Sequence, residues 1–429
     1  MIRRLVWLMA LALVVGACTD DPGVTPTTGL TETSGDTTTT TTGPGLDGLP
    51  EHLREEIETL IGVTEDLRGL LFLTTPAVIT VTPEEMEERI RGLIADDAEH
   101  VPADEALYKL LGLFPETGNL DSLLLDLYGE QAAGFYDGET GELVVTASDE
   151  GLSVTQRATL VHELTHALAD QHFGFHDIFT AMFDEDRLDE AAAYQAVIEG
   201  DATFLQLQYV RGLGLQELSE FVAEAFEIDT AVLDSAPGFL RDSLLFPYDD
   251  GTALVQDAFS KGGWDSVNQL YTAPPRSTEQ VISPDAIGVD DPLTVELPEI
   301  DVPDYELSIT STWGQLGLRL MLDQALGTEE SDTASRGWGG DIYHQWFDGA
   351  EAAFVLFYRG DTATDAIELG DALVLYVAEA MAVGAPTTAN GSTVFSGDDY
   401  AYVAVEGRNV HFVAADIPAV GRLIVEELP

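Results

Sequence analysis

The sequence predicts an α+β fold in two parts. A predominantly helical unit over residues 46–290 carries a small edge β-hairpin, and a C-terminal α+β unit covers 291–429. Three observations predict this. Apolar residues recur at helical spacing through most of the first part. One strong hairpin signal interrupts them between Gly134 and Val145. Beyond a stretch rich in Pro and Asp, Asp285 to Tyr305, the pattern changes to strand, strand, helix. With 45% hydrophobic residues, a chain of 429 residues has enough apolar surface to bury for two globular units.

The chain begins with the basic segment Met1-Ile2-Arg3-Arg4, and Leu5 to Val15 is an apolar run too short to span a bilayer. It ends in Val15-Gly16-Ala17-Cys18, and Cys18 is the only cysteine, so no internal disulfide can form. These residues resemble the lipobox of bacterial and archaeal lipoproteins. The resemblance implies a signal peptide over 1–17, acylation of Cys18, and an extracytoplasmic protein anchored to the membrane by lipid. Residues 18–45, rich in Thr, Gly and Pro, cannot bury anything and read as a disordered tether.

Charge narrows the partners. A formal charge of -59, with Lys109 and Lys261 as the only lysines, excludes nucleic acid and anionic membrane surfaces as direct partners. No D-x-[DN]-x-[DN]-G loop occurs, so the acidity reads as salt adaptation or a proteome-wide bias rather than calcium buffering.

The elements follow in order. Thr82-Pro83-Glu84-Glu85 combines an N-cap, a first-turn proline and a capping-box glutamate, with Met86 and Ile90 starting the apolar stripe. Further helices are expected over 103–113 and 120–128. Gly134-Phe135-Tyr136, the turn Asp137 to Gly141, and Glu142 to Val145 form the hairpin. Ser153 with Gln156 then opens a helix that runs to Phe173 and is closed by Gly174.

That helix carries His162, Glu163 and His166 as H-E-x-x-H. On a helix the two histidines lie one turn apart on the same face, so one zinc ion can take both imidazoles. Glu163 then stands beside the metal as a general base. The flanks Thr159-Leu160-Val161 and Ala167-Leu168-Ala169 are apolar, so the motif is half buried at least, and unpartnered buried polar groups are costly.

The motif in this setting resembles the zincin metallopeptidases. That resemblance implies a zinc-dependent hydrolase acting on protein or peptide, with an open metal position and a third protein ligand. Three residues qualify. His172 stands where metzincins carry their last histidine, but the helix-breaking glycine of that pattern is Ala169 here. Glu199, in AVIEGDATFL, matches the gluzincin arrangement of a glutamate on a second helix. Glu190 begins that same helix among acidic residues. Glu190 and Glu199 are nine positions apart, about 900° of helical rotation, so they face opposite sides. Glu199 is the expected ligand because Ala196, Val197, Ile198 and Ala202 surround it. Gly200 beside it suits a close approach by another backbone or a ligand. The aspartate that gluzincins place one turn further on is Thr203. The resemblance also implies a substrate-pairing strand, for which the hairpin is suited, and a hydrogen-bond donor to the oxyanion, for which Tyr136 and His344 are candidates. His344 also reads as a structural residue of a strand.

Helices follow over 186–210 and 216–226. The segments FPYDDG, GGW and PPRSTEQ read equally as functional loops or as inter-helix connections. HELTHALADQHF, VIEGDA, FPYDDG and PPRSTEQ together resemble exported zincin-like proteins over Tyr128 to Pro284, which implies a fold but no substrate. Asp285 to Tyr305 reads as a linker or an extended crossing. Beyond it come a helix over 312–326, strands over 342–347 and 352–358, a helix over 364–381, strands over 400–405 and 410–414, and a terminal helix. The competing expectation is a non-catalytic zinc-binding envelope lipoprotein.

Overall fold

The computed structural model describes residues 44–46, 48–96, 99–131, 134–147, 151–389 and 391–428. The expected signal peptide, Cys18 and nearly all of the tether lie outside these residues. No helix among the described residues is long and apolar enough to cross a membrane.

The first part is built from α1 (Glu51–Arg68), β1 (Ala77–Val81), α2 (Pro83–Asp96), α3 (Val101–Leu110), α4 (Leu120–Gln131), β2 (Gly134–Asp137) and β3 (Glu142–Thr146). It continues through α5 (Val154–Phe173), α6 (Phe175–Asp184), α7 (Leu188–Gly212), α8 (Leu215–Ala225), α9 (Ala231–Ser235), α10 (Gly238–Gly262), α11 (Trp264–Thr272) and α12 (Thr278–Ile282). The C-terminal part holds β4 (Glu306–Ser311), α13 (Gly314–Leu326), α14 (Thr328–Ser335), β5 (Trp338–Phe347), β6 (Ala352–Gly360) and α15 (Ala363–Ala380). It ends with β7 (Thr387–Ala389), β8 (Ser392–Ser396), β9 (Tyr400–Glu406), β10 (Asn409–Ala415) and α16 (Pro418–Glu426). The fold is α+β, as the sequence predicts.

Two sheets form. The hairpin β2–β3 is joined by β1, parallel to β3, in the order β1-β3-β2, so β2 is an outer strand. The larger sheet has the order β4-β5-β6-β10-β9-β8-β7. Both of its faces are covered, and the alternation of side chains shows how. Phe354, Leu356 and Phe412 join the main core with the helices. Their neighbours Ala353, Val355 and Val413 face a second cluster made with Ile300, Val302 and Ile424. Residues 290–305 are therefore an extended crossing that packs on the sheet, held at one point by Leu293 N–H donating to the Gly339 carbonyl at 2.7 Å. One core runs from Leu46 to Ala414, through both the helical part and the sheet.

Local signals hold where the sequence is specific. Thr82 and Glu85 exchange their capping-box hydrogen bonds at 2.9 and 3.2 Å, as do Ser153 and Gln156 at 2.9 and 3.3 Å. FPYDDG differs: it lies inside the single helix α10, with Pro247 in its interior. Proline costs that helix one hydrogen bond, and packing overrides the propensity, because Phe246, Pro247 and Tyr248 are all buried. PPRSTEQ leads into α12 and buries Ser277, Thr278, Glu279 and Gln280.

Candidate metal centre

The centre forms where α5 crosses α7. On α5, residues 158–169 are buried without a break, and His162 and Glu163 are only 1% and 2% exposed. Helix α5 runs on through His172 to Phe173 and ends at Gly174 in the left-handed region, φ 61°. Ala169 therefore sits inside a continuous helix. His172 is carried outward, where its Nε2 lies 2.8 Å from the Leu71 carbonyl oxygen. Glu190 is held on the surface by Arg187 at 2.7 Å. Neither residue reaches the histidines.

Glu199 does. Its Oε2 lies 3.2 Å from His162 Nε2 and 3.4 Å from His166 Nε2, and the two Nε2 atoms are 3.0 Å apart. One donor atom from each of the three buried residues falls within 4.8 Å of the others. Two imidazole nitrogens this close cannot both present lone pairs unless a proton or a cation lies between them. The donor set, two imidazoles and one carboxylate, fits the ligand preference of zinc. Burial opposes ionisation of Glu199, but the His166 charge and hydrogen bonds from His162 and His166 hold its carboxylate at about 2.

Glu163 neighbours this cluster without joining it. Its Oε1 is buried with no hydrogen-bond partner among the described residues. Burial pushes its carboxyl up to about 7, with His162 and a backbone hydrogen bond from Tyr136 pulling down and Glu199 pushing up. Strand β2 thus contacts the base through its main chain. The Tyr136 hydroxyl is directed elsewhere: it donates to Asp170 Oδ2 at 2.8 Å. His344 lies on β5 in the large sheet, where its Nδ1 is 3.3 Å from Thr310 Oγ1 and its ring stacks on Trp346 at 5.4 Å. That is the setting of a structural strand histidine.

Several neighbours were not legible in the sequence. Tyr248 of α10 lies parallel to the His162 ring at 6.4 Å. Phe175 meets His166 edge-on at 6.2 Å. Asp170, one turn past His166, ties together Tyr136 and the backbone of His176. Asp201 faces away from the centre, as its position two residues past Glu199 implies. It is fully buried and takes Arg68 Nε at 3.0 Å and the Tyr271 hydroxyl at 2.9 Å. The Nδ1 atoms of His162 and His166 have no protein hydrogen-bond partner among the described residues. Only the H-E-x-x-H spacing and the apolar flanks of Glu199 were visible beforehand, because the other contacts join segments distant in sequence.

Residues 306–424, which contain the large sheet, match a family model described only as a domain of unknown function (DUF8575). No curated protein and no solved structure matches the chain.

Proposed function

We propose that this chain is an extracytoplasmic zinc metallopeptidase of the zincin type, anchored to the membrane through Cys18 and acting on protein or peptide. The observation that carries the reading is the convergence of His162, His166 and Glu199 beside Glu163, whose buried Oε1 has no hydrogen-bond partner among the described residues. His162 Nε2, His166 Nε2 and Glu199 would hold the metal. The chemistry zinc would supply there is Lewis acidity, which polarises a carbonyl and makes water a stronger acid.

The chain's own residues supply the rest. Glu163 has a carboxyl near neutrality and a free buried oxygen, the two properties a general base needs at physiological pH. It takes a proton from the attacking water at Oε1 and returns it to the leaving amine. Tyr248 and Phe175 pack against the imidazoles and restrict their rotation. Outer strand β2, whose main chain reaches Glu163, is suited to align an extended substrate.

Zinc content of the chain from Gly45 onward, alone and as Glu199→Ala, tests the reading. The expected result is near one zinc per chain, lost in the variant, followed by peptidase activity that Glu163→Ala abolishes. A parent protein that takes up no zinc even on reconstitution would overturn the enzyme and leave a binding lipoprotein.

A further inference from the structure

A second set of metal-type donors lies apart from the histidines. Glu279 of α12, Asp290 at the start of the crossing and Asp361 just after β6 each bring a carboxylate oxygen to within 4.8 Å of the others. The three come from separate segments, so no linear motif announces them. Asp290 is exposed and Asp361 partly exposed, but Glu279 is 7% exposed.

Glu279 is the anomaly. Burial and then the charges of Asp290, Asp361 and Asp189 push its carboxyl up to about 8, and among the described residues no donor or cation offsets them. Burial, and then the charges of Asp290 and Asp365, hold the Asp361 carboxyl above its ordinary range against the charge of Arg408, whose Nε donates to the Gly360 carbonyl at 2.8 Å. Ionising this carboxyl, on a residue nine-tenths buried and within 4.8 Å of two more carboxylates, is unfavourable unless a proton or a cation lies between them.

We propose that Glu279, Asp290 and Asp361 form a calcium site. Calcium–oxygen distances of about 2.3–2.6 Å put oxygens on opposite sides of one ion roughly 4.6–5.2 Å apart, with adjacent ones closer. The observed cluster has that size. Calcium takes six to eight oxygens, and the exposed side at Asp290 leaves room for water to complete the set. Magnesium holds its oxygens at about 2.0–2.1 Å and gives up water reluctantly, while zinc is drawn to the imidazoles. The bound ion ties α12, the crossing and the β6–α15 corner together. The crossing already has two hydrogen bonds there: Gln280 Nε2 to the Asp290 carbonyl and Leu293 N–H to Gly339, both 2.7 Å.

The test titrates calcium chloride into the full chain in calcium-free buffer by calorimetry, and records unfolding midpoints with and without calcium. One saturable event with Kd on the order of 10⁻⁴–10⁻³ M is expected, with a midpoint that rises in calcium. Asp290→Asn, which alters an exposed side chain, and Glu279→Gln should each lose that event. Glu279→Gln should also melt no lower than the parent without calcium, since glutamine is neutral, as a carboxyl pushed up to about 8 already is at neutral pH. No saturable event in the parent overturns the site and leaves carboxylates sharing a proton. An undiminished calcium response in both variants also overturns it, as general screening of the -59 charge.

Discussion

Gly200 and Gly251 meet backbone to backbone. A Cβ on Gly200 would stand 2.2 Å from the Gly251 carbonyl oxygen, and one on Gly251 would stand 2.2 Å from that of Ala196. Helices α7 and α10 are therefore in backbone contact that leaves no room for a Cβ, one residue from Glu199 and three from Tyr248. Gly200→Ala must push the helices apart or displace Glu199. It should destabilise the fold by about 1–3 kcal/mol or more and lower zinc retention. Urea unfolding together with metal analysis checks both, and unchanged values would show that the crossing can yield.

Glu163→Gln separates holding the metal from using it. Glutamine has the same shape but cannot accept the proton, and Glu163 is not among the converging donors. Zinc content should match the parent, while hydrolysis of a fluorogenic peptide library falls by about 10²–10⁴-fold or more. Parallel loss of zinc and activity would instead make Glu163 a structural support of the cluster.

The alternative third ligands give a sharper control. His172 points to the Leu71 carbonyl and Glu190 to Arg187. His172→Ala and Glu190→Ala should therefore keep full zinc content, and depletion in either would reassign the ligand.

Arg68 and Asp201 are 1% and 0% exposed, and the guanidinium also lies 4.3 Å over Trp264. Removing one member leaves the other charge buried without its partner. Asp201→Asn and Arg68→Met should each cost about 3–5 kcal/mol. The double variant should recover part of this in a double-mutant cycle of chemical unfolding. Additive losses would mean that the two residues act independently.

Stability should also depend on pH. Burial pushes Asp189 up to about 7, against hydrogen bonds from Thr278 and with the Asp341 charge adding to it. Burial likewise raises Asp341 to about 6. The unfolded carboxyls titrate near 4, so between about pH 4 and 7 the folded chain holds protons that the unfolded chain has released. Stability is therefore lost as pH rises through that window. Unfolding free energies should be higher at pH 5 than at pH 8, and Asp189→Asn should flatten the difference. A parent chain more stable at pH 8 would contradict this assignment.

The sequence by itself determined what is local. Capping boxes at Thr82 and Ser153, the β2–β3 hairpin, the strands that became β9 and β10, and the H-E-x-x-H helix rest on contacts within a few residues, and these were read correctly. The apolar setting of Glu199 was local too, which made it the expected partner of the histidines. Tertiary structure decided everything that needed a second segment. Pro247 stays inside α10 because packing around Phe246 and Tyr248 outweighs one lost hydrogen bond. Strand β1 forms because β3 is there to pair with it. Gly200 became intelligible only beside Gly251, and the carboxylates of Glu279, Asp290 and Asp361 only once the crossing lay against β6. Periodicity and capping report a residue's neighbours along the chain, whereas burial, charge pairing and donor convergence depend on which distant segments the core brings together.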